Sequence, residues 1–334
     1  VCRSDLNGWQ DEGGPFPTIL GHEGAGEVVA VGAGVEAVAP GDRVVLSWLP
    51  YCKECFYCER GEVHYCEGIS GALFGGTLLD GTTRFSHRGV PVHHYSLLST
   101  FSRHTVVPEA SCVPLPEGIA APQACLLGCG VATGYGASVH AAGVTEGSHV
   151  MVLGLGSVGI SAIQGARIAG ARHIVGVDRK AGNFDAARKL GATHVARPDG
   201  DDLEGLVDEL TEGRGFDFAV DATGSATASH AAFGLLRKGG TLVIVGAPPA
   251  DLEDLRFPAA SFHRVGKTIK GSLYGGIDPT GGLRELADLY VAGKLALDEL
   301  IIERTRLDAI NDIFRRFEDG DAVNAGRVVI EMQD

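Results

Sequence analysis

The chain has 334 residues, room for two domains with a substantial buried core, and its 45% hydrophobic and 21% charged residues are ordinary for a globular protein. A formal net charge of −14 argues against nucleic acid or an anionic membrane surface as a partner. No apolar run reaches membrane-spanning length, because glycine, arginine or histidine interrupts each candidate. The sequence opens Val1-Cys2-Arg3-Ser4-Asp5 with no signal-peptide pattern and with a motif already under way. The natural N-terminus is therefore expected upstream, and the cytoplasm is the default compartment.

Residues 1–123 read as short β-like runs and turns: GAGEVVAVG at 24–32, GDRVVLSWL at 41–49 and FSRHTVVP at 101–108, each bounded by Gly or Pro. Nothing there has strong helical period. Within this region Cys52, Cys55, Cys58 and Cys66 follow the pattern C-x2-C-x2-C-x7-C. Thiolates at that spacing can wrap one small cation as a closed tetrahedron, and zinc is the usual occupant of such a structural site. Two disulfides fit a reducing interior poorly, and the bacterial iron–sulfur run is spaced differently.

From residue 124 the pattern changes. Strand-like runs at 149–154, 173–178, 193–198, 216–223 and 241–246 alternate with helical stretches at 157–170, 183–191, 201–210 and 229–240. Such alternation implies right-handed crossovers and a parallel sheet, so 124–272 reads as one doubly wound domain. Two more helices are predicted at 281–293 and 307–320, and a last β-run, GRVVIEM, at 326–332.

After the run HVMVL comes Gly154-Leu155-Gly156-Ser157-Val158-Gly159, which opens a helix, and Asp178 closes the next strand. A lone G-x-G-x-x-G is weak evidence, but strand, turn, helix and answering carboxylate together form a dinucleotide fingerprint. Gly154 permits the tight turn, Gly156 admits the pyrophosphate, and Gly159 lets helix and strand pack closely. Asp178 suits ribose hydroxyls and repels a 2′-phosphate, which favours NAD over NADP. Arg179 and Lys180 follow directly and soften that preference.

Cys2, His22 and Cys129 are the remaining metal-type candidates. Two thiolates and an imidazole leave one corner of a zinc tetrahedron open, a ligand set typical of alcohol dehydrogenase. Gly21-His22-Glu23-x-x-Gly26 followed by Gly32 and Val35, the four-cysteine lobe, Leu127-Gly128-Cys129-Gly130, Thr133-Gly134-Tyr135-Gly136 and the fingerprint at Gly154 stand in one order. That order resembles the zinc-containing alcohol dehydrogenases of the medium-chain superfamily. The segment 76–85, with His93-His94 after it, is similar to the long animal, plant and glutathione-dependent formaldehyde forms.

The resemblance implies a Rossmann domain at 124–272. It also implies a GroES-like β-barrel catalytic domain at 1–123, completed by the C-terminal segment 273–334 and open where the family has further N-terminal strands. It assigns Cys2, His22 and Cys129 to a catalytic zinc, and Cys52, Cys55, Cys58 and Cys66 to a structural zinc. Ser4 matches the hydroxyl that takes the substrate proton, while Asp5 and Glu23 match acidic residues near the metal, Asp5 as the group that orients His22. Arg3 and Arg327 match pyrophosphate contacts, and Thr133 packs on the nicotinamide. Asn7 stands where many members end the proton relay with histidine. Trp9 and Trp48 fall where the family lines its cleft, whereas Cys112 and Cys125 read as plain buried cysteines. The activity implied is reversible hydride transfer from an alcohol to NAD in a homodimer or homotetramer. The alternatives are a thiol-adduct formaldehyde dehydrogenase and, from another class, a non-catalytic NAD-binding protein.

Overall fold

The computed structural model describes residues 1–10, 14–248, 254–319 and 326–332. It divides into two units, 1–130 with 278–334 and 131–277. Among the described residues no helix is long and apolar enough to cross a membrane.

The first unit carries small sheets. Strands β1 (Thr18–Ile19), β4 (Phe85–His87) and β5 (Val90–His94) form one in the order β1-β5-β4. Strands β2 (Gly24–Glu27), β3 (Arg43–Leu46) and β6 (Cys112–Pro114) form an antiparallel second. Val44, Leu46 and Leu98 bury one side of this second sheet, with Val28 and Val35 packed against them. The run 101–108, expected as a strand, forms none. Phe101 N–H instead donates to Leu20 O at 3.0 Å, and Ser102 Oγ turns the chain by donating to His104 O at 2.7 Å. Sequence also overlooked helix α1, Arg3–Gln10. It is short and mostly polar, and tertiary burial of Leu6 and Asp5 holds it.

The second unit is built on β7 (His149–Leu153), β8 (His173–Val177), β9 (His194–Ala196), β10 (Phe216–Asp221), β11 (Leu236–Ile244) and β12 (Thr268–Gly271). All pair in parallel, in the order β12-β11-β10-β7-β8-β9. Read from β9, this is the 3-2-1-4-5-6 order of a doubly wound Rossmann sheet, whose ligand crevice opens beyond the carboxyl ends of the central strands. Met151, Val175, Phe216, Ala219, Phe233 and Leu242 are buried together on it. One helix was read too long. Residues 236–240, assigned to the helix ending at 240, begin β11, and the helix is Ala226–Leu235. Leu236 pairs with Phe216 before the register shifts, an irregularity placed where Gly239 and Gly240 give the backbone freedom.

The chain then returns to the first unit through the helix Gly281–Val291, strand β13 (Ile301–Thr305), the helix Ile310–Glu318 and strand β14 (Arg327–Ile330). The expected end of that second helix, Gly320, lies outside the described residues. Phe314, Phe317 and Val328 pack with Leu6 and Leu20, so the C-terminal segment shares one core with α1.

Candidate active site and metal centres

Cys2, His22, Glu23 and Cys129 converge in the first unit, with one ligand atom from each lying within 4.8 Å of all the others. Asp5 organises the group from the first turn of α1. One carboxylate oxygen accepts the Cys2 N–H at 2.8 Å and the other meets His22 Nδ1 at 2.7 Å, with Asp5 only 1% and His22 3% exposed. With Nδ1 engaged, Nε2 is the nitrogen left for a metal. Burial disfavours a charged His22, but the Asp5 carboxylate and the contact with Cys2 outweigh it and hold the imidazole pKa well above its ordinary value. Hydrogen bonding from Cys129 pulls Cys2 well below the usual thiol value against the effect of burial, and the same contact together with burial pushes Cys129 well up. A cation bound here would favour the thiolate form of both sulfurs.

Glu23 and Arg327 flank the cluster. Arg327 Nε lies 3.1 Å from one Glu23 oxygen and 3.3 Å from the other, and its Nη2 reaches Cys2 Sγ at 3.4 Å. Burial works against the guanidinium charge, but Glu23 and the two sulfurs more than compensate, so its pKa rises further. Gly130 N–H also donates to Glu23 at 3.2 Å. Nothing in the sequence signalled this pairing of residues 23 and 327. Tyr95 was overlooked too: its hydroxyl donates to Ser4 O at 2.7 Å and its ring stands edge-on to His22 at 5.9 Å, while Trp48 stands edge-on to the same ring at 6.5 Å. Ser4 and Asn7 are exposed on α1, and Ser4 Oγ lies 3.8 Å from Cys2 Sγ. Arg3 donates to Phe317 O at 3.2 Å, and Trp9 tilts against Phe314 at 5.6 Å.

Cys52, Cys55, Cys58 and Cys66 also converge, and all eight cysteines of the chain are free thiols. Their sulfurs stand 3.5 Å (52–66), 3.9 Å (55–66) and 3.9 Å (52–58) apart. A tetrahedron with zinc–sulfur bonds of about 2.3 Å has edges of about 3.8 Å, so a zinc ion fits the cage. Backbone N–H groups of Cys58 and Glu67 draw Cys55 down to about 6, whereas burial and Cys55 push Cys58 up to about 12.

In the second unit Gly154 has φ +83°, open to glycine but costly to other residues, and a side chain at Gly159 would meet Gly154 O at 1.8 Å. The helix Ser157–Ile168 begins at Gly156 without a side-chain cap, and a Cβ at Gly156 would meet nothing within 4 Å. Its first N–H groups thus face open space suited to a phosphate. The Asp178 carboxylate is fixed by Leu155 N–H and Lys180 N–H, each at 2.7 Å, and by the Asn183 amide at 3.2 Å. This donor set fits the pyrophosphate and ribose of a dinucleotide. Thr133 lies half-buried on the helix Gly130–Gly136.

A Rossmann sheet joined to a GroES-like unit that carries two thiolate-rich clusters defines a metal-dependent, nicotinamide-using dehydrogenase. Residues 1–117 match the alcohol dehydrogenase GroES-like domain, and 157–291 match the zinc-binding dehydrogenase model. Alcohol dehydrogenase class-3 of Myxine glutinosa is 38% identical over 336 residues, covering 98% of this chain and 86% of the relative. S-(hydroxymethyl)glutathione dehydrogenase of Aspergillus oryzae is 39% identical over 339 residues, covering 99% and 86%. The crystal structure of benzyl alcohol dehydrogenase from Acinetobacter calcoaceticus superposes with a TM-score of 0.89 at 32% identity, over 99% of this chain and 89% of that one. The chain belongs to the zinc-containing alcohol dehydrogenase family of the medium-chain superfamily. It is an oxidoreductase of that family, with zinc and NAD as cofactors.

Proposed function

We propose that the protein oxidises a primary or secondary alcohol to an aldehyde or ketone, reversibly, with NAD as hydride acceptor. The convergence of Cys2, His22 and Cys129 around one point is the observation that carries this reading. When bound, zinc supplies Lewis-acid polarisation of a hydroxyl group and NAD supplies the hydride acceptor. Cys2 and Cys129 provide two thiolates for the metal, and His22 provides Nε2 while Asp5 holds its ring from Nδ1. Ser4 Oγ, exposed at the start of α1, accepts the substrate hydroxyl proton. Asn7 cannot act as a base, so the proton leaves to water. Arg327 and Glu23 hold a fixed charge pair beside Cys2. Trp48 and Tyr95, edge-on to His22, give the alcohol an aromatic wall. In the second unit the N-terminus of Ser157–Ile168 takes the pyrophosphate and Asp178 the ribose. Cys52, Cys55, Cys58 and Cys66 hold the second, structural zinc. Strand β12 ends the Rossmann sheet and offers its open edge to a second copy, which supports a homodimer or homotetramer.

A second reading has a specific support. Relatives at 38–39% identity bear the name S-(hydroxymethyl)glutathione dehydrogenase, and a hemithioacetal hydroxyl suits the same metal centre. One experiment separates the two: initial rates of NAD reduction with short aliphatic alcohols, benzyl alcohol, and formaldehyde with and without glutathione. Turnover of free alcohols is the expected result. A rate seen only when formaldehyde and glutathione are both present would transfer the assignment to the thiol adduct. No rate with any of them, in protein holding its full zinc, would overturn both.

A further inference from the structure

We propose that the amino-terminal edge of the Rossmann sheet binds a borderline divalent transition metal ion through a ladder of histidines, apart from the two cysteine clusters and the dinucleotide site. His149, His173 and His194 are the first residues of β7, β8 and β9. The register puts them on one face: His149 is directly opposite His173, and His194 is opposite Val175, two residues along the same face from His173. Their rings adjoin in series, with centroids 5.1 Å apart for His149 and His173 and 5.8 Å apart for His173 and His194. With metal–nitrogen bonds of about 2.0–2.1 Å, two imidazoles sharing one ion have centroids roughly 4.5–6.5 Å apart. Both gaps fall in that range.

The ligand chemistry agrees. His149 Nδ1 is buried without a hydrogen-bond partner, a cost that a ligand would relieve. His194 Nδ1 is 2.9 Å from Thr193 Oγ1, which leaves Nε2 for coordination. Asp217 accepts the His149 backbone N–H at 2.8 Å and pairs with Arg237 at 2.6 Å, so it counts as neighbouring charge and not as a ligand. Among the described residues, only the two cysteine-containing groups already bring three or more ligand atoms within 4.8 Å. The ladder therefore binds through two rings sharing His173, and the third closes in by side-chain rotation. Imidazole ligands suit zinc, copper and nickel and exclude calcium and magnesium.

The site lies at the strand starts, whereas Gly154 and Asp178 follow the strand ends, so a metal here would tie three strands together without touching the cofactor site. The test is calorimetric titration of the zinc-loaded, full-length enzyme with Ni2+, with zinc content measured before and after. The expected result is one saturable nickel equivalent, no zinc released, and a rise in thermal midpoint. In His173→Gln, affinity should fall at least tenfold, and in His194→Gln by less, while NAD binding stays as in the parent and shows the sheet intact. Saturable binding that survives in His173→Gln, or only weak multiple binding in the parent, would overturn the site. If His173→Gln fails to fold, His149→Gln is read in its place, and undiminished nickel binding there has the same consequence.

Discussion

Cys52, Cys55, Cys58 and Cys66 belong to one loop, where chain connectivity alone keeps the four sulfurs close. Cys2, His22 and Cys129 come from three distant places, and Arg327 on β14 adds a fourth. The first cluster is a property of spacing and the second a property of the fold. Local spacing gathers four sulfurs close to the surface, with only Cys66 buried; assembly from distant parts buries Cys2 and His22 and adds an orienting carboxylate. A structural cage needs nothing more than the former, and a reactive centre needs the latter.

This contrast is sharpest under substitution. Cys129→Ser should cut kcat/KM by roughly 10^3-fold or more, with one zinc lost and the fold retained, because the several kcal/mol of Lewis-acid stabilisation goes with the metal. Metal analysis and circular dichroism decide the point, and full activity would break the assignment. Arg327→Met leaves Glu23 buried without its partner and should destabilise the protein by about 3–5 kcal/mol, read by urea unfolding. Asp5→Asn keeps the shape but weakens the hold on His22, so activity or catalytic-zinc affinity should drop about 10–100-fold while the four-cysteine zinc is unaffected.

The smallest effect concerns pH. His94 is buried on β5 and its pKa is depressed to about 4 from 6.5, mainly by burial and then by Arg84. The unfolded chain therefore binds the extra proton first as pH falls, so the stability due to neutral His94 is present above pH 6.5 and lost between pH 6.5 and 4. The loss should be roughly 1–3 kcal/mol, seen as a steeper fall in thermal midpoint for the parent than for His94→Gln. Parallel pH curves would contradict it.

Legibility followed the same divide. The alternating strands and helices of residues 149–246, the fingerprint at Gly154 and the cysteine spacing are local patterns, and each stood plainly in the sequence. The pairing of Cys2, His22 and Cys129 was reached through family resemblance, since no spacing connects residues so far apart. Tyr95 and the Glu23–Arg327 pair had no signal at all, because an edge-on ring and a buried ion pair are made only by tertiary packing. The same cause hid α1, which is short and mostly polar and whose order comes from Leu6 in a core shared with Phe314 and Val328. Residues 236–240 misled in the opposite way: they follow a helix without a break, yet Leu236 pairs with Phe216 and the irregular stretch after it runs into the regular pairing of β11 at Thr241.

The Glu23–Arg327 contact joins residues 304 positions apart. A ribosome releases its product from one end, so the four-cysteine loop is complete while most of the chain is still unmade. The other cluster must wait for Cys129 and then for β14, which brings its guanidinium to Cys2 last. Contacts of such long sequence separation form late, because the loop they close must first lose its freedom. The two clusters are thereby completed at different stages of synthesis, the four-cysteine group early and the Glu23–Arg327 pair beside Cys2 only once the last strand is in place.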